Sequence, residues 1–266
     1  MIPGTLYAEA HIFLGTLAMT QPRMLAAFAI LPIFNRQLLP GLLRYSISVA
    51  LGLVLVPALT PLYVASAVSG AGLVLIVAKE IFIGLALGVL FAIPFWVFES
   101  VGFLIDTQRG ASIGVALNPI SGNETSPLGI LLNQAFMVFF LVAGGFTLML
   151  SILYDSFILW NIWSFYPALE PGNGVLLLEQ LSRMMRLTVL FAAPALIAMF
   201  LAELGLGLVN RFAPQLQVFF LAMPIKSALA ILVLVLYSHT LFDYGYDVLE
   251  QLRNTLPFYD EHWRGA

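Results

Sequence analysis

Six apolar runs, at residues 11–34, 42–57, 73–98, 128–153, 187–209 and 228–242, leave this chain few ways to fold. A helix needs about 20 residues to cross a bilayer, with a range of about 17–25, so most runs qualify and the second and sixth are short. Only 9% of the 266 residues are charged and 61% are hydrophobic. A soluble domain carries about a quarter charged residues, so this chain is expected in lipid or inside a hydrophobic assembly. The fold class that follows is all-α: an integral membrane-type protein with about six long apolar helical segments, broken by Pro and Gly and packed as hairpins.

The remaining composition excludes several functions. A formal net charge of −3 with no basic run argues against nucleic-acid binding. The absence of cysteine removes disulfides, thiolate metal sites and cysteine nucleophiles. His11, His239 and His262 are far apart and form no H-E-x-x-H pattern, so metal catalysis has no support. The opening MIPGTLYAEAHIF has no basic segment and places Glu9 before the apolar run, unlike a cleavable signal peptide.

Several runs are punctured. Gln21-Pro22-Arg23 is expected to interrupt the first, Pro57 and Pro61 to close the second, and Pro94 lies inside the third. Such breaks survive in a membrane where neighbouring protein satisfies the freed backbone groups. Arg36 and Arg44 flank the first connection, and Arg211 and Lys226 the fifth. By the positive-inside rule both connections are cytoplasmic and the N-terminus lies outside. The tail, with Asp243, Asp247, Glu250, Asp260 and Glu261 against Arg253 and Arg264, fits the outer face.

The fifth connection reads NRFAPQLQVFFLAMPIKS over residues 210–227. Pro214 and Pro224 lack an N–H and disfavour helix at the preceding residue, so no unbroken helix is expected there. A hairpin tip with Asn210, Arg211, Gln215 and Lys226 around an apolar centre suits contact with a partner better than a solvated turn.

The NRFAPQL and MPIKS segments resemble the signature of the SctT/FliR family, membrane proteins of the type III secretion export apparatus. DTQRGAS at 106–112 and SGNETSPLG at 121–129 resemble the injectisome branch more than the flagellar one. The resemblance implies a non-enzymatic, multi-pass subunit of the bacterial inner membrane, with no cofactor, helping to form and close a channel for unfolded secreted proteins. It implies a hetero-oligomer with SctR-like and SctS-like subunits and an SctU-like switch protein. It also implies an SctR-like part over residues 1–186, an SctS-like hairpin over 187–245 and a polar tail over 246–266.

Site residues follow from both readings. Asn210, Arg211, Pro214, Gln215, Pro224 and Lys226 shape the hairpin tip. Gln108, Arg109 and Gly110 read as a packing or pairing site, with a tight glycine turn beside an arginine that Asp106 is close enough to orient, and the resemblance makes them a partner contact. They lead into a Gly-, Pro-, Ser- and Asn-rich stretch that reads as irregular structure. The resemblance implies that Ser112–Ser126 helps plug the closed channel, with Ile113, Val115, Leu117 and Ile120 as its seal. Glu203 is the most isolated acid in an apolar run, and a buried carboxylate there must be neutral or paired. Gly205 and Gly207 beside it, and the small-xxx-small pair Gly84 and Gly88, allow helices to approach closely. Lys79 and Glu80 are adjacent on a helix and are not expected to face each other; snorkelling to an interface accounts for Lys79.

Two competing functions use the same residues. Gly110-Ala111-Ser112-Ile113-Gly114 matches the G-x-S-x-G pattern, and with His239 it suggests an intramembrane serine protease, although no strand precedes Gly110. A secondary transporter would use Glu203 for proton coupling. The lack of paired inverted halves and of a second acid in that run weakens it.

Overall fold

A computed structural model describes residues 3–35, 39–65, 70–110, 126–163, 173–213 and 218–253. Every regular element among them is helical: α1 (Pro3–Ile30), a short 3-10 turn (Pro32–Phe34), α2 (Gly41–Leu53), α3 (Val56–Ala65), α4 (Gly70–Arg109), α5 (Pro127–Val142), α6 (Gly145–Leu159), α7 (Asn173–Phe212) and α8 (Val218–Arg253). Gly72–Arg109, Leu178–Phe212 and Phe220–Leu252 are each long and apolar enough to cross a membrane. The pairs α2–α3 and α5–α6 pass the same test only when each is taken as one broken span. The apolar runs therefore become helices: those at 73–98, 187–209 and 228–242 lie within helices that extend well past them, while those at 42–57 and 128–153 are each split between two helices.

Several prolines depart from expectation, although no unbroken helix runs through residues 210–227: α7 ends at Phe212 and α8 begins at Val218. Pro22 lies inside α1, Pro61 inside α3, Pro94 inside α4 and Pro224 inside α8, each without ending its helix. Pro57 sits in the first turn of α3, so it opens that helix rather than closing α2. A proline forfeits one backbone hydrogen bond and crowds the preceding turn; long helices with many remaining bonds absorb that loss. The breaks fall elsewhere. Between α2 and α3 the chain bends by 71° at Val54–Leu55, and between α5 and α6 Gly144 adopts φ +79. That left-handed conformation is open to glycine and strained for residues bearing a Cβ.

The chain divides into two compact units. The first comprises Met1–Ala92, Gly144–Gly174 and Gln251–Ala266, and so holds α1, α2, α3, the first part of α4, and α6. Here α1 packs on α2 and α3. It also meets α4 backbone to backbone: a Cβ at Gly84 would strike the Arg23 carbonyl and the Ala26 side chain, and one at Gly88 would lie 2.8 Å from the Ala27 carbonyl oxygen. Met24, Ala27, Phe28 and Leu31 of α1 are buried, as are Ile83 and Leu87 of α4. Phe34 stacks on Phe28 with ring centroids 4.3 Å apart, closing the end of α1.

The second unit, Ile93–Ala143 and Val175–Glu250, contains the rest of α4 with α5, α7 and most of α8. An aromatic core joins these helices. Phe136 of α5 stacks on Phe98 of α4 at 4.3 Å and meets Phe95 edge-on at 5.0 Å. Phe98 in turn contacts Phe191 of α7 and Phe242 of α8. Phe95 and Phe98 are thus buried packing residues of this core. Gly245 admits this cluster, since a Cβ there would lie 3.0 Å from Phe98.

Candidate functional site

Three residues from separate stretches of sequence meet in the second unit. Gln108 is near the end of α4, Glu203 is in α7 and Lys226 is in α8. Lys226 Nζ lies 3.3 Å from Glu203 Oε2, and Gln108 Nε2 donates to the same oxygen at 3.4 Å. Glu203 is not sunk in the apolar interior as its surroundings in sequence suggest: its side chain is 51% exposed, whereas that of Lys226 is 12% exposed. The carboxylate is paired on one side and open on the other. At this exposure the pair contributes little alone, and covering it with apolar atoms strengthens the attraction.

A second cluster governs the start of α5. Asp106 Oδ2 accepts the Ser126 hydroxyl at 2.6 Å and the Leu128 N–H at 3.0 Å, while Oδ1 pairs with Arg109 Nη2 at 2.7 Å. Ser126 is the N-cap of α5 and accepts the Gly129 N–H at 2.9 Å, with Pro127 in the first turn. Gly110 ends α4 with φ +83. The sequence reading of a glycine turn beside a held arginine matches this geometry, although Asp106 was read there only as a partner for Arg109. A Cβ at Gly102 would strike the backbone at Leu128 and Gly129, so α4 and α5 touch closely beside the cluster.

The hairpin residues divide. Asn210 and Arg211 are exposed in the last turn of α7. Pro214 and Gln215 lie outside the described residues, as do Ser112, Ile113, Val115, Leu117 and Ile120. Pro224 and Lys226 are already helical. Around them Phe212, Phe220 and Leu221 are exposed, and a Cβ at Gly205 or Gly207 would have nothing within 4 Å. Only 22% of the most apolar window of α7 and 11% of that of α8 is buried inside the protein, against 67% for α4. His239 is exposed on α8, its Nδ1 lying 2.8 Å from Asp243 Oδ2.

The most extensively bonded polar group was not anticipated. In the first unit Arg23 of α1 and Glu80 of α4 are fully buried and form a two-pronged ion pair, Nε to Oε2 at 2.7 Å and Nη2 to Oε1 at 3.0 Å. Lys79 Nζ lies 3.0 Å from Glu80 Oε1 and donates to the carbonyls of Asn161 and Ile162 at 2.9 and 2.8 Å. Lys79 and Glu80 do pair, therefore, and snorkelling is not what Lys79 does. Long side chains on adjacent helical residues converge when a third group, here Arg23, draws the carboxylate. The available signal was an arginine alone in one apolar run and a glutamate, accompanied only by the adjacent Lys79, deep in another.

The match to known proteins covers most of the chain. The family described as bacterial export proteins, family 1, matches residues 14–252. The chain is 45% identical over 224 residues to Yop proteins translocation protein T of Yersinia pestis, covering 84% of this chain and 85% of that one. It is 31% identical over 233 residues to the surface presentation of antigens protein SpaR of Salmonella typhimurium, covering 87% and 86%. With the flagellar biosynthetic protein FliR of Pectobacterium carotovorum subsp. carotovorum it shares 28% over 247 residues, covering 88% and 91%. The chain belongs to the bacterial export proteins, family 1, the SctT/FliR family, and stands closer to these secretion-system relatives than to the flagellar one.

Proposed function

We propose that this protein is a subunit of the inner-membrane export gate of a type III protein secretion system, helping to form and close the channel for unfolded substrates. One observation carries the reading: 45% identity across 84% of the chain with a protein named for Yop translocation. The physical support is the bare surface of α7 and α8. A monomer in lipid has no need of exposed glycine backbone at Gly205 and Gly207, whereas helix–helix contact in a membrane favours it. SctR-like and SctS-like subunits cover that surface, an SctU-like protein meets the cytoplasmic side, and lipid covers the rest. In this reading residues 1–186 correspond to the SctR-like part, 187–245 to the SctS-like hairpin and 246–266 to a polar tail.

Native mass measurement after gentle extraction tests the assembly. A large particle containing several small helical membrane proteins supports it; a lone monomer in the presence of its candidate partners overturns it. Asn210, Arg211, Pro214, Gln215, Pro224 and Lys226 form the contact tip. Arg211→Glu is expected to reduce secretion at least tenfold while the protein still inserts in the membrane. Arg211 is exposed, so folding gives no reason for a loss, and normal secretion would remove the tip from the contact surface. Gln108, Arg109 and Gly110 set the start of the plugging stretch, in which Ile113, Val115, Leu117 and Ile120 seal the pore. Shortening Ser112–Ser126 is expected to raise ion leakage through the assembled complex, and an unchanged leak would exclude the plug.

A further inference from the structure

The buried cluster in the first unit has a role independent of that reading. All five N–H groups of the Arg23 guanidinium have acceptors: two on Glu80, the Ser156 carbonyl at 2.6 Å, the Ser156 hydroxyl at 3.1 Å and the Trp160 carbonyl at 2.8 Å. The Phe157 ring covers the guanidinium at 4.1 Å. Glu80 lies within Gly72–Arg109, one of the helices apolar enough to cross a membrane. Alone, neither the acid nor the arginine is tolerated in apolar surroundings, because a charge without a partner there is costly. We propose that Arg23 and Glu80 form an assembly lock: α1 and α4 are stable only as a pair, and the paired arginine then seats the C-terminal end of α6.

Each part of the lock has a geometric basis. The close α1–α4 approach at Gly84 and Gly88 puts Arg23 and Glu80 within reach of each other, 57 residues apart in the chain. Two of the five guanidinium N–H groups are used by Glu80, and the other three point to Ser156 and Trp160. The Ser156 carbonyl lies in the last turn of α6, where it also accepts the N–H of the C-cap residue Trp160 at 2.9 Å; the remaining acceptor capacity there and the negative end of the helix dipole attract a cation. Lys79 extends the same function to Asn161 and Ile162. The cluster thus brings two cations and one carboxylate to a helix end rich in acceptors. Lysine in place of Arg23 keeps the charge but has three donors and no planar fork.

The test uses the full chain in its native membrane, comparing the amount of inserted, protease-resistant protein. Arg23→Met and Glu80→Leu, each alone, are expected to lower it at least tenfold, since the first leaves the buried Glu80 with Lys79 alone and empties the two-pronged site, and the second leaves the buried Arg23 without a counter-charge. The double variant Arg23→Met with Glu80→Leu is expected to recover at least threefold over either single variant yet stay below the unaltered protein, because the unpaired charge of the Arg23–Glu80 site is gone while the Ser156 and Trp160 carbonyls lose the arginine and Lys79 keeps only its backbone acceptors. Arg23→Lys is expected to stay low, as is the exchanged pair Arg23→Glu with Glu80→Arg, which turns a carboxylate towards the Ser156 and Trp160 carbonyls. A double variant as scarce as the single ones, or single variants at normal levels, would overturn the lock. Recovery by the exchanged pair or by Arg23→Lys would remove the seating of α6.

Discussion

Gly84→Leu is expected to reduce folded, membrane-inserted protein at least tenfold, whereas Gly205→Leu on α7 leaves it unchanged. At position 84 the first side-chain atom already collides with the Arg23 carbonyl and the Ala26 side chain. The obstacle is backbone, which cannot rotate away as a flexible side chain does. α1 must move off α4, and the displacement pulls Arg23 from Glu80. Overpacking alone costs about 1–3 kcal/mol; separating the buried pair adds to it. Stability of a domain is about 5–15 kcal/mol in total, so the sum removes a large part of it. Gly205 has open space, so a leucine there finds nothing to strike. Equal yields of the two variants would show that the α1–α4 contact tolerates separation. If Gly205→Leu accumulates normally but is missing from the native particle, the α7 face is a partner contact.

The helical class and the positions of the apolar segments were legible because hydrophobic length is a local property, readable without knowing any contact. Gly84, Gly88 and Gly110 were legible for the same reason, since glycine reports a constraint on its own backbone. The prolines misled because their cost is local while the support that absorbs it is spread over a long helix. Pro224 illustrates this, lying within the 36 residues of α8. The Arg23–Glu80 pair could not be read from spacing, as its members are joined only when α1 crosses α4. Local rules even pointed away from the Lys79–Glu80 contact, which exists because Arg23 orients the carboxylate and the Asn161 and Ile162 carbonyls just past α6 orient the lysine. Glu203 was found as an anomaly, but its partners Lys226 and Gln108 came from other stretches and were assigned there to separate roles.

Asp106→Ala is expected to loosen the junction of α4 and α5 more than any other single change in the second unit's polar cluster. The aspartate is buried near the C-terminal end of α4, where the helix dipole disfavours a negative charge. It is held there by what it does for the next helix. It accepts the Leu128 N–H, one of the free donors at the start of α5, and it orients Ser126 to accept the Gly129 N–H. Its other oxygen balances Arg109. Alanine removes all three partners at once, with an expected cost of about 3–4 kcal/mol from lost charge-assisted bonds and a poorly solvated arginine. Ser126→Ala removes only the cap, at about 1 kcal/mol. Asp106→Asn lies between them, because its amide oxygen still accepts one hydrogen bond but cannot neutralise Arg109. Hydrogen exchange at the Leu128 and Gly129 amides reads the effect directly. The expected order is fastest in Asp106→Ala, then Asp106→Asn, then Ser126→Ala. Exchange in Asp106→Ala no faster than in Ser126→Ala would mean that the cap alone sets the start of α5 and that the carboxylate serves Arg109 only.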